Sequence, residues 1–176
     1  MAFTEEPQVI KGADPEAVFR RSIYTEIIKI FENAELEGKL TRFFILDNFG
    51  LDLAVFIRFQ DSCTVRFLEL KVFVGSRQGG VGFGNSRGEG PQVDLLLLDS
   101  GQLESANHWM RWIFMDGTMP RGSERFAFYD NEKAKESAMG GVKRNKQNNF
   151  RVNSLLQEAF KWDELSKKIE QFLISE

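Results

Sequence analysis

The stretch that decides the fold runs from Leu51 to Val74. It reads LDLAVFIRF over Leu51–Phe59, QDSC over Gln60–Cys63 and TVRFLELKVFV over Thr64–Val74. Both arms are dense in β-branched and aromatic residues, and a short polar stretch parts them, so the segment predicts a β-hairpin. Three charges interrupt the apolar arms: Asp52, Glu69 and Lys71. Strand side chains alternate between faces, which puts Glu69 and Lys71 together with Val65, Phe67 and Phe73, and Asp52 with Ala54, Phe56 and Arg58. With Gln60–Cys63 as a four-residue turn, Phe59 pairs with Thr64. Ala54 then lies opposite Glu69, and Asp52 opposite Lys71. All three charges project to one face, with the two carboxylates as diagonal neighbours about 7–8 Å apart at the backbone.

Two carboxylates and an ammonium on a largely apolar sheet face are costly unless they pair or hold a cation. The residues alone leave two readings open. One is a structural ion pair at a sheet edge. The other is a site at which the carboxylates share a metal.

Asp-x16-Glu-x-Lys across a hairpin resembles the PD-(D/E)XK nuclease superfamily. The resembling segments are GLDLAVF, Gly50–Phe56, and FLELKVF, Phe67–Phe73, with Leu51 standing where the motif name has proline. The resemblance implies a restriction-endonuclease-like α/β fold with a mixed central sheet flanked by helices. It implies hydrolysis of phosphodiester bonds by a metal-activated water. Asp52 and Glu69 are then metal ligands, and Lys71 acts on the water or on transition-state charge. Hard oxygen ligands suit Mg²⁺ or Mn²⁺. DNA is the implied substrate, and a homodimer is implied where two strands are cut. The fold also has catalytically silent members that bind nucleic acid or build assemblies; those tend to lose one of the three residues, and this chain has all three.

At 176 residues the chain is expected to form one domain, 1–176, and its 42% hydrophobic content fits a globular protein. No apolar run approaches the roughly 18 residues that cross a bilayer. The opening MAFTEEPQ is polar and acidic, unlike a secretory signal, so cytoplasmic residence is expected. The sole cysteine, Cys63, and the sole histidine, His108, exclude an intramolecular disulfide and the usual zinc sites. Net charge is −3, which does not by itself point to nucleic acid. The charge is uneven, however: VKRNKQNNFR, Val142–Arg151, carries Lys143, Arg144, Lys146 and Arg151 with no acid. Beside a phosphodiesterase site these cations serve as a backbone clamp; elsewhere they are a solvated loop.

Asp14-Pro15 reads as a helix start, and a helix is expected to about Asn33 with Phe19, Ile23, Ile27 and Ile30 as its apolar stripe. Glu26 falls on that stripe. It is either a boundary residue reaching solvent or, by the same resemblance, an auxiliary acid and metal ligand contributed by the first helix. Arg42–Leu46 reads as a strand ahead of the hairpin. Gly75–Gly90 is rich in glycine, with Arg77 and Arg87 as its cations, and leaves the Lys71 strand; it reads either as a loop that covers the site or contacts nucleic acid or as a plain flexible loop. Gln92–Leu98 reads as a central parallel strand, with Asp94 as a strand-end cap rather than an extra acid near the site. Leu103–Met115 reads as a helix whose tryptophans belong to the core, Arg125–Tyr129 as a strand, and Asn131–Met139 as a short helix. Ser154–Ile174 reads as a closing amphipathic helix.

Overall fold

Helix α1, Pro15–Leu36, opens on proline, whose fixed φ suits the first helical position. It buries Phe19, Ile23, Ile27, Ile30, Phe31 and Ala34 on one side. Its end is set by Gly38, which adopts φ +72°. There the Lys39 N–H donates to Ala34 O at 2.9 Å and the Gly38 N–H to Glu35 O at 3.0 Å. That bond pair closes a helix when the residue past the cap is left-handed, a conformation glycine adopts without penalty. The computed structural model describes residues 15–47, 52–73, 81–82, 108–117, 122–136, 149–150 and 159–175.

Strands β1 (Arg42–Asp47), β2 (Leu53–Arg58) and β3 (Cys63–Phe73) follow as an antiparallel meander. After β4 (Val81–Gly82) come β5 (Met110–Asp116) and β6 (Phe126–Tyr129), then helix α2 (Asn131–Glu136), β7 (Asn149–Phe150) and helix α3 (Trp162–Ile174). The main sheet has the order β1-β2-β3-β5-β6. It is mixed: β5 runs parallel to β3, and the other pairs are antiparallel. Among the described residues the architecture is therefore α/β, a five-stranded open sheet with flanking helices. A two-stranded ribbon pairs β4 with β7. Among the described residues, no helix is long and apolar enough to cross a membrane.

One sheet face carries Leu53, Val55, Ile57, Leu68, Leu70, Val72 and Ile113 and packs against α1 and α3. Helix α3 meets it with Leu165, Ile169, Phe172 and Leu173, the spacing of a single helical stripe. The opposite face carries Ala54, Phe56, Glu69, Lys71, Trp112, Phe114 and Ala127, as the cross-strand pairs require. Helix α2 is capped by Asp130, whose Oδ1 accepts the Lys133 N–H at 2.9 Å.

Three expectations are corrected. The hairpin turns tighter than a four-residue loop: the Phe59 N–H donates to Ser62 O at 2.9 Å, and Arg58 pairs with Cys63. The register therefore shifts by two residues, which leaves every side chain on its expected face. The helix read over Leu103–Met115 is a strand from Met110 onward. Met110, Trp112, Ile113 and Phe114 are all buried, and a strand covered on both faces carries a continuous apolar run that periodicity cannot tell from a buried helix. This strand runs parallel to β3; the parallel strand expected over Gln92–Leu98 lies outside the described residues. Finally, α3 begins at Trp162 rather than Ser154, because Phe160 exchanges both backbone bonds with Phe126 in an antiparallel bridge.

Candidate active site

Asp52 sits in the bend that leads into β2. Leu53 pairs with Leu68, so continuing the register sets Asp52 opposite Glu69 rather than Lys71. At this point side chains replace the regular ladder. The Asp52 N–H donates to Glu69 Oε2 at 3.3 Å, and the Leu70 N–H donates to Asp52 Oδ2 at 2.7 Å. The two carboxylates are thus held by each other's strands.

Two cations join the group. Lys71 Nζ donates to Glu69 Oε1, and the two residues share a face because they are two apart on β3. Arg20 reaches from α1, its Nη1 lying 3.4 Å from Asp52 Oδ1. Side-chain exposure is 8% for Lys71 and 7% for Glu69, rising to 11% for Asp52 and 24% for Arg20. The group runs from a dry end to a wetter one, and its four charges sum to zero. Neutrality is what permits burial, since an uncompensated ion in this setting costs several kcal/mol.

The walls are aromatic. Trp112 pairs with Glu69 and Phe114 with Lys71 across the parallel β3–β5 ladder, and both rings are fully buried. The rings lie 6.3 Å apart and nearly parallel. The Trp112 indole N–H donates to Asn131 Oδ1 at 2.6 Å, so α2 fixes the ring beside Glu69. Both tryptophan and asparagine are wholly buried, as the core reading of this tryptophan expects.

The structure brings Asp52, Glu69 and Lys71 together and adds Arg20, which sequence reasoning missed. A weak signal existed: Arg20 follows Phe19 and precedes Ile23 on α1, flanking the buried stripe. Glu26 does not join the group. Its Oε1 accepts the Ser166 hydroxyl of α3 at 2.6 Å, and Lys29 Nζ lies 3.7 Å from its Oε2. Among the described residues, no three acids, histidines or cysteines come close enough to hold one metal ion. Cys63 and His108 are both exposed. Arg77, Arg87, Lys143, Arg144, Lys146 and Arg151 lie outside the described residues. Of those stretches only 81–82 and 149–150 are described, where Val81 pairs with Phe150 and Gly82 with Asn149.

The donor set fits a hard divalent cation. Mg²⁺ commonly takes one or two carboxylates and completes its shell with water and substrate phosphate oxygens, and Asp52 with Glu69 offers two such carboxylates. Arg20 is the most exposed of their partners. No protein-family model, curated protein or solved structure matches this chain.

Proposed function

We propose that the protein is a Mg²⁺- or Mn²⁺-dependent nuclease of the PD-(D/E)XK type that hydrolyses phosphodiester bonds in DNA. The observation that carries this reading is the opposed pair of Asp52 and Glu69, with Lys71 beside them, where β2 departs from β3. The order helix, three antiparallel strands and a strand parallel to the third also supports it. In this reading Asp52 and Glu69 hold the ion, which supplies charge stabilisation and an acidified water. Lys71 acts as a fixed positive charge against the developing charge on the phosphate, made effective by the dry aromatic wall around it. Glu69 orients that ammonium by accepting its hydrogen bond. Arg20 balances Asp52 before substrate arrives and then faces the incoming phosphate. The basic strip from Lys143 to Arg151 and the Arg77–Arg87 segment supply backbone contacts.

A second reading has its own observation. All four carboxylate oxygens already accept a donor from the protein, as in a self-sufficient ion network. That favours a catalytically silent, nucleic-acid-binding member of the fold. Incubating plasmid and single-stranded DNA with the protein, with and without Mg²⁺ or Mn²⁺, separates the two. Metal-dependent cleavage lost in Lys71→Met supports the nuclease; DNA binding without cleavage supports the silent protein.

A further inference from the structure

The sheet face that carries Glu69 and Lys71 continues outward to the edge strand β1. There Phe44 of β1 pairs with Phe56 of β2, and Arg42 of β1 with Arg58 of β2, so these four side chains fill two successive rungs of that face. The Phe44 and Phe56 ring centres lie 6.1 Å apart, with their planes tilted by 46°. Phe44 is 57% exposed and Phe56 37%. Both arginines are exposed as well.

The fold does not explain this patch. A cross-strand ring pair adds somewhat to strand pairing, but like charges directly opposite each other detract from it. Among the described residues, neither guanidinium forms an ion pair or a side-chain hydrogen bond. No acid of β1, β2 or β3 shares this face before Glu69. A single exposed phenylalanine is ordinary; two in contact, bordered by two cations, form a patch with a defined chemistry.

Rings and guanidiniums on adjacent rungs match a ligand that carries flat faces and anions in alternation. A nucleic acid strand does so, since each nucleotide offers a base to stack and a phosphate to an arginine fork. Only unpaired bases present their faces, so the match is to a single strand rather than a duplex. The patch also leads toward the charged group. Phe56 pairs with Val65, and Glu69 lies four residues further along β3, about 13 Å away at about 3.3 Å per residue. Val65 and Phe67, on the same face between them, are half-buried, so apolar surface continues from the ring pair to the Asp52 group.

We propose that Phe44 and Phe56 form a stacking platform for single-stranded nucleic acid, with Arg42 and Arg58 as its phosphate contacts. The choice of a nucleic acid as occupant rests on the proposed function; the ring pair decides for its single-stranded form.

The test is fluorescence anisotropy of a labelled oligothymidine of about twelve nucleotides, titrated with the full chain in chelator so that no cleavage intervenes. The expected result is saturable binding, tighter than that of a duplex of equal length, which weakens about tenfold in Phe44→Ala and in Phe56→Ala. Phe44→Leu keeps apolar area without an aromatic face and is expected to weaken binding as alanine does. Arg42→Gln and Arg58→Gln are each expected to flatten the dependence of log Kd on log salt by about 0.7. All four side chains are exposed, so each variant is expected to keep the native circular dichroism spectrum. Wild type that binds the oligonucleotide in this way but cuts no DNA supports the platform and contradicts the nuclease reading alone. Wild type that cuts DNA, while the Phe44→Ala, Phe56→Ala double variant binds the oligonucleotide unchanged, overturns the platform alone. Preference for the duplex, absence of saturable binding, or self-association abolished by Phe44→Ala in place of oligonucleotide binding also overturns it.

Discussion

Leu70 donates its backbone N–H to Asp52 Oδ2 at 2.7 Å, so a strand amide of β3 fixes the carboxylate of the bend that leads into β2. This is a scaffold bond as much as a site bond. Asp52→Ala leaves a part-buried amide without that acceptor and is expected to cost about 1–3 kcal/mol in urea unfolding. Asp52→Asn keeps an oxygen for Leu70 and is expected to cost clearly less, while abolishing any metal-dependent activity as fully as alanine. Equal destabilisation by the two variants contradicts the assignment.

Glu69 and Lys71 form the dry half of the group. Removing one partner strands a buried charge, so Glu69→Gln and Lys71→Met are each expected to cost about 3–5 kcal/mol. The double variant is expected to lose far less than the sum, because no ion is left unpaired. A double-mutant cycle by chemical denaturation measures this coupling; additive losses contradict it.

In the nuclease reading, Arg20 competes with a metal for Asp52. Replacing it with glutamine removes a positive charge from the site, and a part-exposed pair of this kind is worth up to about 1 kcal/mol. Arg20→Gln is therefore expected to bind Mn²⁺ up to about fivefold more tightly, read from the rise of Tm with metal concentration. Weaker Mn²⁺ binding in this variant means that Arg20 supports the ion rather than competing with it.

Glu26 belongs to the packing of α1 on α3. Ser166→Ala removes its hydrogen bond and is expected to cost about 1 kcal/mol by thermal or urea unfolding. In the nuclease reading, Glu26→Gln leaves DNA cleavage within a few-fold of wild type. A loss of orders of magnitude with the fold intact restores Glu26 as an auxiliary acid.

The hairpin was legible because its two arms carry the strand period and its charges break it at positions of one parity. That parity survived a register error, since a shift of two residues changes partners and not faces. The turn was misjudged because QDSC lacks the glycine or asparagine-glycine signal that marks a two-residue loop. Met110–Asp116 was illegible as a strand for a different reason: from Trp112 to Met115 the side chains of both faces are apolar, so alternation vanishes. Glu26 looked like a site acid because it shares a stripe with Ile23 and Ile30. Nothing in α1 alone reveals that a serine some 140 positions away receives it. Arg20 could not be paired with Asp52 without knowing how α1 crosses the hairpin.

The most direct measurement is cleavage of supercoiled and single-stranded DNA in Mg²⁺ and in Mn²⁺, by wild type and by the Glu69→Gln, Lys71→Met double variant, both shown folded by circular dichroism. The account predicts cleavage by wild type that stops with chelator and is absent in the double variant at every metal concentration. Wild type that leaves both substrates intact in either metal, or a folded double variant that cuts as well as wild type, contradicts it.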